Sequence, residues 1–489
     1  RKDINIIPHP INFNINDMGE KMEKPDFISR GEIARLIPVT ADTSREQRAL
    51  SILLAAFRSV HEFRELMLNS VGLRVGKRAK LQAWTEITFP SDPKLPRSDR
   101  PDGLIVVDTG RKQWTALVEA KIGNAKIDEE QIKRYLQIAK SNKIDAIITI
   151  SNEFTALPDH SPIKIPKNQL RSTNIFHWSW MFAVTQATLL LQQSAISDPD
   201  QVFILEEVLR NLNHESSGIS RFDQMNKEWK DVVNKIKSNG TLNKNSEEVE
   251  NTVSSWHQEQ RDLCLVMSRM IAEPIEIKMP RSHSSDPAER LKSDCEKFAR
   301  DHLLATCLSV PNAATDIDVV ADIRRRTITC SMRLNAPQDK KSTKAKVNWL
   351  TKQLSKAKTD NILIKAIRPG RAETTQTSLE EAIKNPDILE SKNSNSVATA
   401  FEVCYEIDLA GNFSGSRKFI QELELAVPEF YLQVGQKLRA WVAPPPKIKN
   451  KDPVTMDKEK EEQEAVYSNP EKPPIESGFF IPAKFYPPE

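Results

Sequence analysis

Leu50, Leu53, Leu54 and Phe57 recur at the spacing of one helix face. The pattern predicts a single long helix over 43–70, capped by Thr43 or Ser44. From 82 to 89 the period changes. Trp84, Glu86 and Thr88 fall on one face and Ala83, Thr85 and Ile87 on the other, the alternation of a strand. A Pro-rich loop ends that strand. GLIVVDTGRKQWTALVEAK follows, two apolar runs about a TGRK turn, and reads as a hairpin. Residues 128–141 form a helix with an acidic first turn. IDAIITISN is apolar enough for a strand buried on both faces. The predicted order is helix, three strands, helix, strand, with two more helices at 177–194 and 199–213.

The polar run KIKSNGTLNKNSEEVE, 235–250, reads as a linker. Beyond it the pattern predicts helices near 252–272 and 286–304, strands around 304–310 and 316–334, a basic helix over 342–357 and the strand NILIKAI. This β-β-α-β order suggests a second, small α/β domain, closed by a helix near 415–440. Residues 1–25 look irregular. From 443 the chain is rich in Pro and charge and is expected to be a disordered tail.

Composition excludes several classes. The 489 residues are too many for one average domain. The five cysteines form no CxxC pair and no Cys/His cluster, which argues against a disulfide scaffold and against a zinc or iron–sulfur site. The most apolar stretch, Trp178 to Leu191, is interrupted by Ser179, Thr185, Gln186 and Thr188 and is too short for a membrane span. The first residues carry no apolar signal core, so the expected location is cytoplasmic.

The chemistry concentrates at Pro101-Asp102 and Glu119-Ala120-Lys121. Sixteen residues separate Asp102 from Glu119, the span of the predicted hairpin. Glu119 and Lys121 project to the same face of their strand, and Asp102 at the mouth of the neighbouring strand can join them. Two carboxylates and a lysine suit phosphodiester hydrolysis. Hard carboxylate oxygens bind Mg²⁺, a bound metal lowers the pKa of water, and the lysine can steer the water and stabilise developing negative charge. The Ala120 carbonyl is a further candidate ligand. Either short motif alone is common by chance; both together, on apolar strands at hairpin spacing, carry weight.

These residues and the element order resemble the PD-(D/E)XK nuclease superfamily, with its restriction-endonuclease-like αβββαβ core. Gln131 and Tyr135, four apart on the following helix and so on one face, resemble the QxxxY pair of its RecB-like branch. The resemblance covers roughly 40–155. It implies an α/β nuclease core over 26–160; the patterning beyond it gives a helical extension over 161–234, the linker at 235–250 and a C-terminal α/β domain over 251–442 before the tail at 443–489. The resemblance further implies a DNA-cleaving enzyme using Mg²⁺ (or Mn²⁺), active in defence against foreign DNA or in repair. Asp102 and Glu119 would hold the metal, Lys121 would assist the water, and Gln131 and Tyr135 would support the substrate. Members often add an upstream acid, for which Glu46 and then Glu86 are the candidates. The branch's usual upstream His has no obvious equivalent. RNA is not excluded as substrate. The alternative is a non-catalytic nuclease-fold subunit that binds nucleic acid or assembles a larger complex.

Charge adds one feature. The chain as a whole carries +3, but Arg324 to Arg371 holds fourteen basic residues against Asp339 and Asp360. Arg324, Arg325, Arg326, Lys344, Lys352 and Lys356 are therefore candidate phosphate contacts. Lys77, Arg78, Arg97 and Arg100 are candidates beside the active site. A protein partner or a second copy would dock on the C-terminal half. His177, Trp178 and Trp180 open a predicted helix and are assigned no chemistry.

Overall fold

The computed structural model describes residues 24–38, 44–76, 78–89, 100–166, 169–170, 172–358, 360–391, 396–443 and 445. Most of the expected irregular N-terminal segment, the C-terminal tail, Lys77 and Arg97 lie outside these residues.

The first half is a six-stranded mixed sheet between helical layers. Its elements are β1 (Arg30–Ile33), α1 (Arg45–Ser59), α2 (His61–Ser70), β2 (Lys80–Thr88), β3 (Gly103–Asp108), β4 (Gln113–Ala120), α3 (Glu129–Ser141), β5 (Ala146–Ser151), β6 (Asn174–Ser179), α4 (Trp180–Gln192) and α5 (Pro199–Leu212). Strand order follows the sequence, β1 to β6. β1 to β4 pair antiparallel; β5 and β6 continue the sheet parallel to β4. The predicted hairpin is present, with Gly103 opposite Val118 and Asp108 opposite Gln113. Every residue of β5 is buried, as a parallel strand covered on both faces requires.

Three local predictions need correction. The helix expected over 43–70 breaks at Val60, whose backbone is extended (φ −113°, ψ 107°). Val60 is fully buried, and the amide of His61 is taken by the Gln201 side chain of α5 at 2.9 Å instead of continuing the helix. The helix expected over 177–194 begins only at Trp180. His177 and Trp178 belong to β6, and the Ser179 hydroxyl caps the helix by accepting from the Phe182 amide at 3.0 Å. The alternation expected along β2 fails at Glu86, which sits at φ +51° beside an irregularity in the β1–β2 register.

The second half comprises α6 (Trp229–Lys237), α7 (Glu247–Ile271), β7 (Glu276–Ile277), α8 (Arg281–Ser285), α9 (Pro287–Asp301), β8 (Leu303–Ser309), β9 (Ile317–Asp322), β10 (Thr327–Asn335), α10 (Thr343–Gln353), β11 (Ile362–Ile367), β12 (Thr375–Ser378), α11 (Leu379–Lys384), β13 (Ala400–Asp408) and α12 (Ser416–Phe430). Its seven-stranded sheet runs β12-β11-β13-β10-β9-β8-β7, and every pairing in it is antiparallel. This sheet is larger than the predicted β-β-α-β unit. β13, a central strand, went unpredicted although Phe401, Val403, Tyr405 and Ile407 alternate along it.

The segment read as a linker, 235–250, instead holds the end of α6 and the start of α7. α7 is shared between the cores. Leu265 packs with the first sheet's cluster, while Leu263, Cys264 and Met267 pack with the second's. Side chains also cross: Gln258 Oε1 accepts from the Phe154 amide at 3.4 Å, and His160 Nε2 lies 2.7 Å from the Ser284 carbonyl. Both sheets belong to one compact unit that ends at Ala443. The chain is thus mixed α/β with two sheets, and among the described residues no helix is long and apolar enough to cross a membrane.

Candidate active site

β4 carries the centre of the site. Its apolar residues lock it between β3 and β5, so Glu119 arrives buried, only 1% exposed. Lys121 lies one residue past the strand, and its amide still pairs with the Ile150 carbonyl at 2.9 Å. The Lys121 carbonyl accepts the indole N–H of Trp180 at 2.8 Å. With its backbone held from both sides, the lysine side chain turns back to Glu119, and its ammonium pairs with Oε1.

Asp102 precedes β3. Its Oδ2 accepts from the Ala120 amide at 2.9 Å, which fixes the carboxylate beside Glu119. Gly103 matters here because a Cβ at that position would lie 3.0 Å from Leu54 and 3.2 Å from Leu50. The missing side chain lets α1 settle against the strand next to Asp102. α1 in turn carries Glu46 in its first turn, and Glu46 Oε1 accepts from the Ile122 amide at 3.3 Å.

α3 closes the site from the other side. Tyr135 is fully buried, with its hydroxyl 2.9 Å from Glu119 Oε2 and 3.0 Å from the Arg100 carbonyl. Gln131 Nε2 donates to that hydroxyl at 2.8 Å, which directs the single phenolic proton outward to an acceptor. The pair four residues apart therefore acts as one relay onto Glu119.

The electrostatics are strained. Burial raises the Asp102 carboxyl far above the usual carboxylate range, and Glu119 raises it further; Glu46 adds to the same effect. Burial also raises Glu119, against the opposing pull of Lys121, Tyr135 and Gln131. For Lys121, burial is outweighed by Glu119, Asp102 and Glu46, so its ammonium is held above the ordinary lysine range. Asp102 thus meets the charges of two other carboxylates, Glu119 and Glu46, with the Lys121 ammonium opposing them. Of the two upstream candidates, Glu46 acts on Asp102 through its charge. Glu86 reaches Asp102 through its backbone, its amide donating to the Asp102 carbonyl at 3.1 Å.

Other residues that hold the site in place come from distant parts of the chain. Asn152 follows β5 at the carboxyl end of two parallel strands. Its side-chain amide donates to the carbonyls of Gly123 at 3.1 Å and Gly218 at 2.9 Å, and its Oδ1 accepts from the Ser220 amide at 3.2 Å. It staples the loop after Lys121 to the loop after α5. Gly218, at φ +76°, packs against Ile122, where an added Cβ would meet the Ile122 side chain at 3.2 Å. Trp180 and Asn152 were legible only as an aromatic and a polar residue flanking apolar strands.

The basic candidates are dispersed. Arg78 and Arg100 are exposed, and Arg100 contributes its carbonyl to Tyr135. Arg324, Arg325 and Arg326 form the β9–β10 turn, with Arg325 paired to Glu406 at 2.7 Å. Lys344 pairs with Asp387 at 2.7 Å; Lys352 and Lys356 are exposed. Two further cations of the block point inward. Lys346 donates to the Ala398 carbonyl at 2.8 Å, and Arg368 to the Ser396 carbonyl at 2.9 Å and the Glu373 carbonyl at 2.8 Å.

Among the described residues no three His, Cys, Asp or Glu side chains gather closely enough to hold a metal by themselves. Two carboxylates with open coordination fit Mg²⁺ better than a closed cage would, since Mg²⁺ keeps waters and takes further oxygens from a phosphate substrate. The excess negative charge around Lys121 fits a divalent cation for the same reason. Comparison with protein-family models, with curated proteins and with solved structures found no match.

Proposed function

We propose that this chain is a divalent-metal-dependent nuclease that hydrolyses phosphodiester bonds in DNA, built on a restriction-endonuclease-like core. The observation that carries the reading is the convergence of Asp102, just before β3, and Lys121, just after β4, on the buried Glu119 of β4, with Tyr135 and Gln131 hydrogen-bonded behind them. The order of two helices, three strands, a helix and a strand over 45–151 supports the same reading.

Each residue has a task. Asp102 and Glu119 would hold Mg²⁺ or Mn²⁺, with the Ala120 carbonyl as a further oxygen and Glu46 as the upstream acid. The bound cation supplies a more acidic water and charge neutralisation at the phosphate. Lys121 orients the attacking water and places a positive charge where negative charge grows. Tyr135, oriented by Gln131, keeps Glu119 ionised and fixed, and Asn152 holds the loop that carries Ile122 against Glu46. Trp180 fixes the backbone from which Lys121 projects.

The test is direct. Plasmid, linear and single-stranded DNA and RNA are incubated with the full chain in Mg²⁺, in Mn²⁺ and in EDTA. Cleavage that needs the metal and disappears in Asp102→Ala and Lys121→Ala is expected. Cleavage surviving either substitution refutes the site. No cleavage of any substrate favours a nuclease-fold assembly subunit instead.

A further inference from the structure

A second cavity lies away from the carboxylates, where α2, α4, α7 and β7 meet the loop after β5. Its volume is about 390 Å³, within the range that holds a small organic molecule. Leu66, Leu157, Leu265 and Ile275 give it an apolar wall. One cation faces that wall. The Arg261 guanidinium lies over the ring of Phe182, 5.4 Å from its centroid.

Arg261 differs from the arginines around it. Arg221 pairs with Glu424, Arg269 donates to the Thr185 hydroxyl, and Arg290 donates to Gln260. The Arg261 side chain, partly buried, makes no hydrogen bond or ion pair among the described residues. Burial pulls its guanidinium below the ordinary arginine range, with Cys264 and Glu276 only partly offsetting that pull. A desolvated guanidinium without an acid partner is costly to the fold, and its planar fork matches the two oxygens of a carboxylate or phosphate. Asn69 and Gln186 also line the cavity, and their side-chain amides have no hydrogen-bond partner among the described residues. They are free to read polar edges of a guest.

We propose that this cavity binds a small organic anion, with its carboxylate or phosphate head on the Arg261 fork and its body against Phe182 and the leucine wall. The site is independent of the carboxylate centre. Glu276, at the rim, weakens the field that the anion meets.

The experiment uses the full chain and three probes: inorganic phosphate, adenosine 5′-monophosphate and benzoate, followed by thermal shift and calorimetry. At least one probe raises the melting temperature of the wild type in a saturable way. Arg261→Met and Arg261→Lys each bind that probe at least ~10-fold more weakly, since neither offers the fork, and Glu276→Gln binds it more tightly. Without any probe, Arg261→Met melts at or above the wild-type temperature. Adenosine 5′-monophosphate against benzoate separates a phosphate head from a carboxylate. Three results overturn the proposal: no probe shifts the wild type, Arg261→Lys binds as well as the wild type, or probe-free Arg261→Met melts lower. The last would make the guanidinium a structural group of the Phe182 wall.

Discussion

Replacing Tyr135 by Phe removes one oxygen atom and tests the centre of the site. The hydroxyl is fully buried and lies 2.9 Å from Glu119 Oε2, so water cannot readily take its place. A hydrogen bond to a charged group contributes about 1.5–3 kcal/mol. At about 1.4 kcal/mol per pKa unit, its loss raises the Glu119 pKa by about one to two units. Glu119 must be ionised to hold a metal, so the acidic limb of the pH–rate profile moves to higher pH by that amount. Stability carries the same signature. Burial already raises Glu119 above its unfolded value, so the carboxyl costs stability as pH rises from the unfolded pKa through the folded one. Tyr135 opposes that cost. The deficit of Tyr135→Phe is therefore smallest below the unfolded glutamate pKa, where Glu119 is protonated in both states, and grows as pH rises through the raised folded-state pKa. DNA cleavage across pH and denaturant unfolding at the two extremes measure both effects. A stability loss independent of pH, with an unmoved acidic limb, would refute the relay onto Glu119.

Asp102→Asn abolishes cleavage yet raises metal-free stability by roughly 1–2 kcal/mol, because the amide keeps an acceptor for Ala120 and removes a repelled, desolvated charge; a lower melting temperature in EDTA would make Asp102 a structural cap. Glu46→Gln raises the Mg²⁺ concentration for half-maximal activity by roughly 10-fold or more, whereas Glu86→Gln changes it by less than about 2-fold; equal effects would sink the choice of Glu46. Residues 1–246 expressed alone give no cooperative unfolding transition, because they lack Leu265 and the α7 face on which α4 packs; a sharp transition would restore the independent domain that the polar segment suggested.

The geometry of the candidate site was legible in the sequence because its parts are local. Asp102, Glu119 and Lys121 sit on one hairpin, where alternation alone decides which side chains share a face. Gln131 and Tyr135 share a face by helical spacing. The supporting residues were not legible because they come from far along the chain. Trp180 reaches Lys121 across 59 positions and Asn152 reaches Gly218 across 66. The basic block misled for the same reason. Its acids, Asp387, Glu402 and Glu406, lie downstream of the counted window, and three of its cations pair with them across strands and helices. Local charge is a property of a surface, and a window along the sequence samples that surface poorly. The linker reading has a further cause: the polar run at 235–250 is a solvent-facing corner between packed helices, and polarity alone does not distinguish a corner from a hinge.

The same distinction bears on whether the carboxylates are structural. A lone Glu119–Lys121 pair with Tyr135 behind it has an ordinary structural reading, although apolar residues of like volume often serve a fold as well or better. Asp102 does not fit that reading. The single described hydrogen bond of its carboxylate, from the Ala120 amide, could be met by an uncharged Asn. The charge adds repulsion from Glu119 and Glu46 and a burial cost that both lift its pKa. A fold gains nothing from that arrangement on its own, and a divalent cation reverses the sign of every one of those terms. Groups held in environments that oppose their own ionisation are concentrated at functional sites, and here three independent elements, α1, β3 and β4, converge to create one. The proposed metal site therefore predicts how stability depends on metal: in melting with and without Mg²⁺, the cation is expected to stabilise the wild type and to leave Asp102→Asn nearly unmoved, and equal shifts for the two would refute the site.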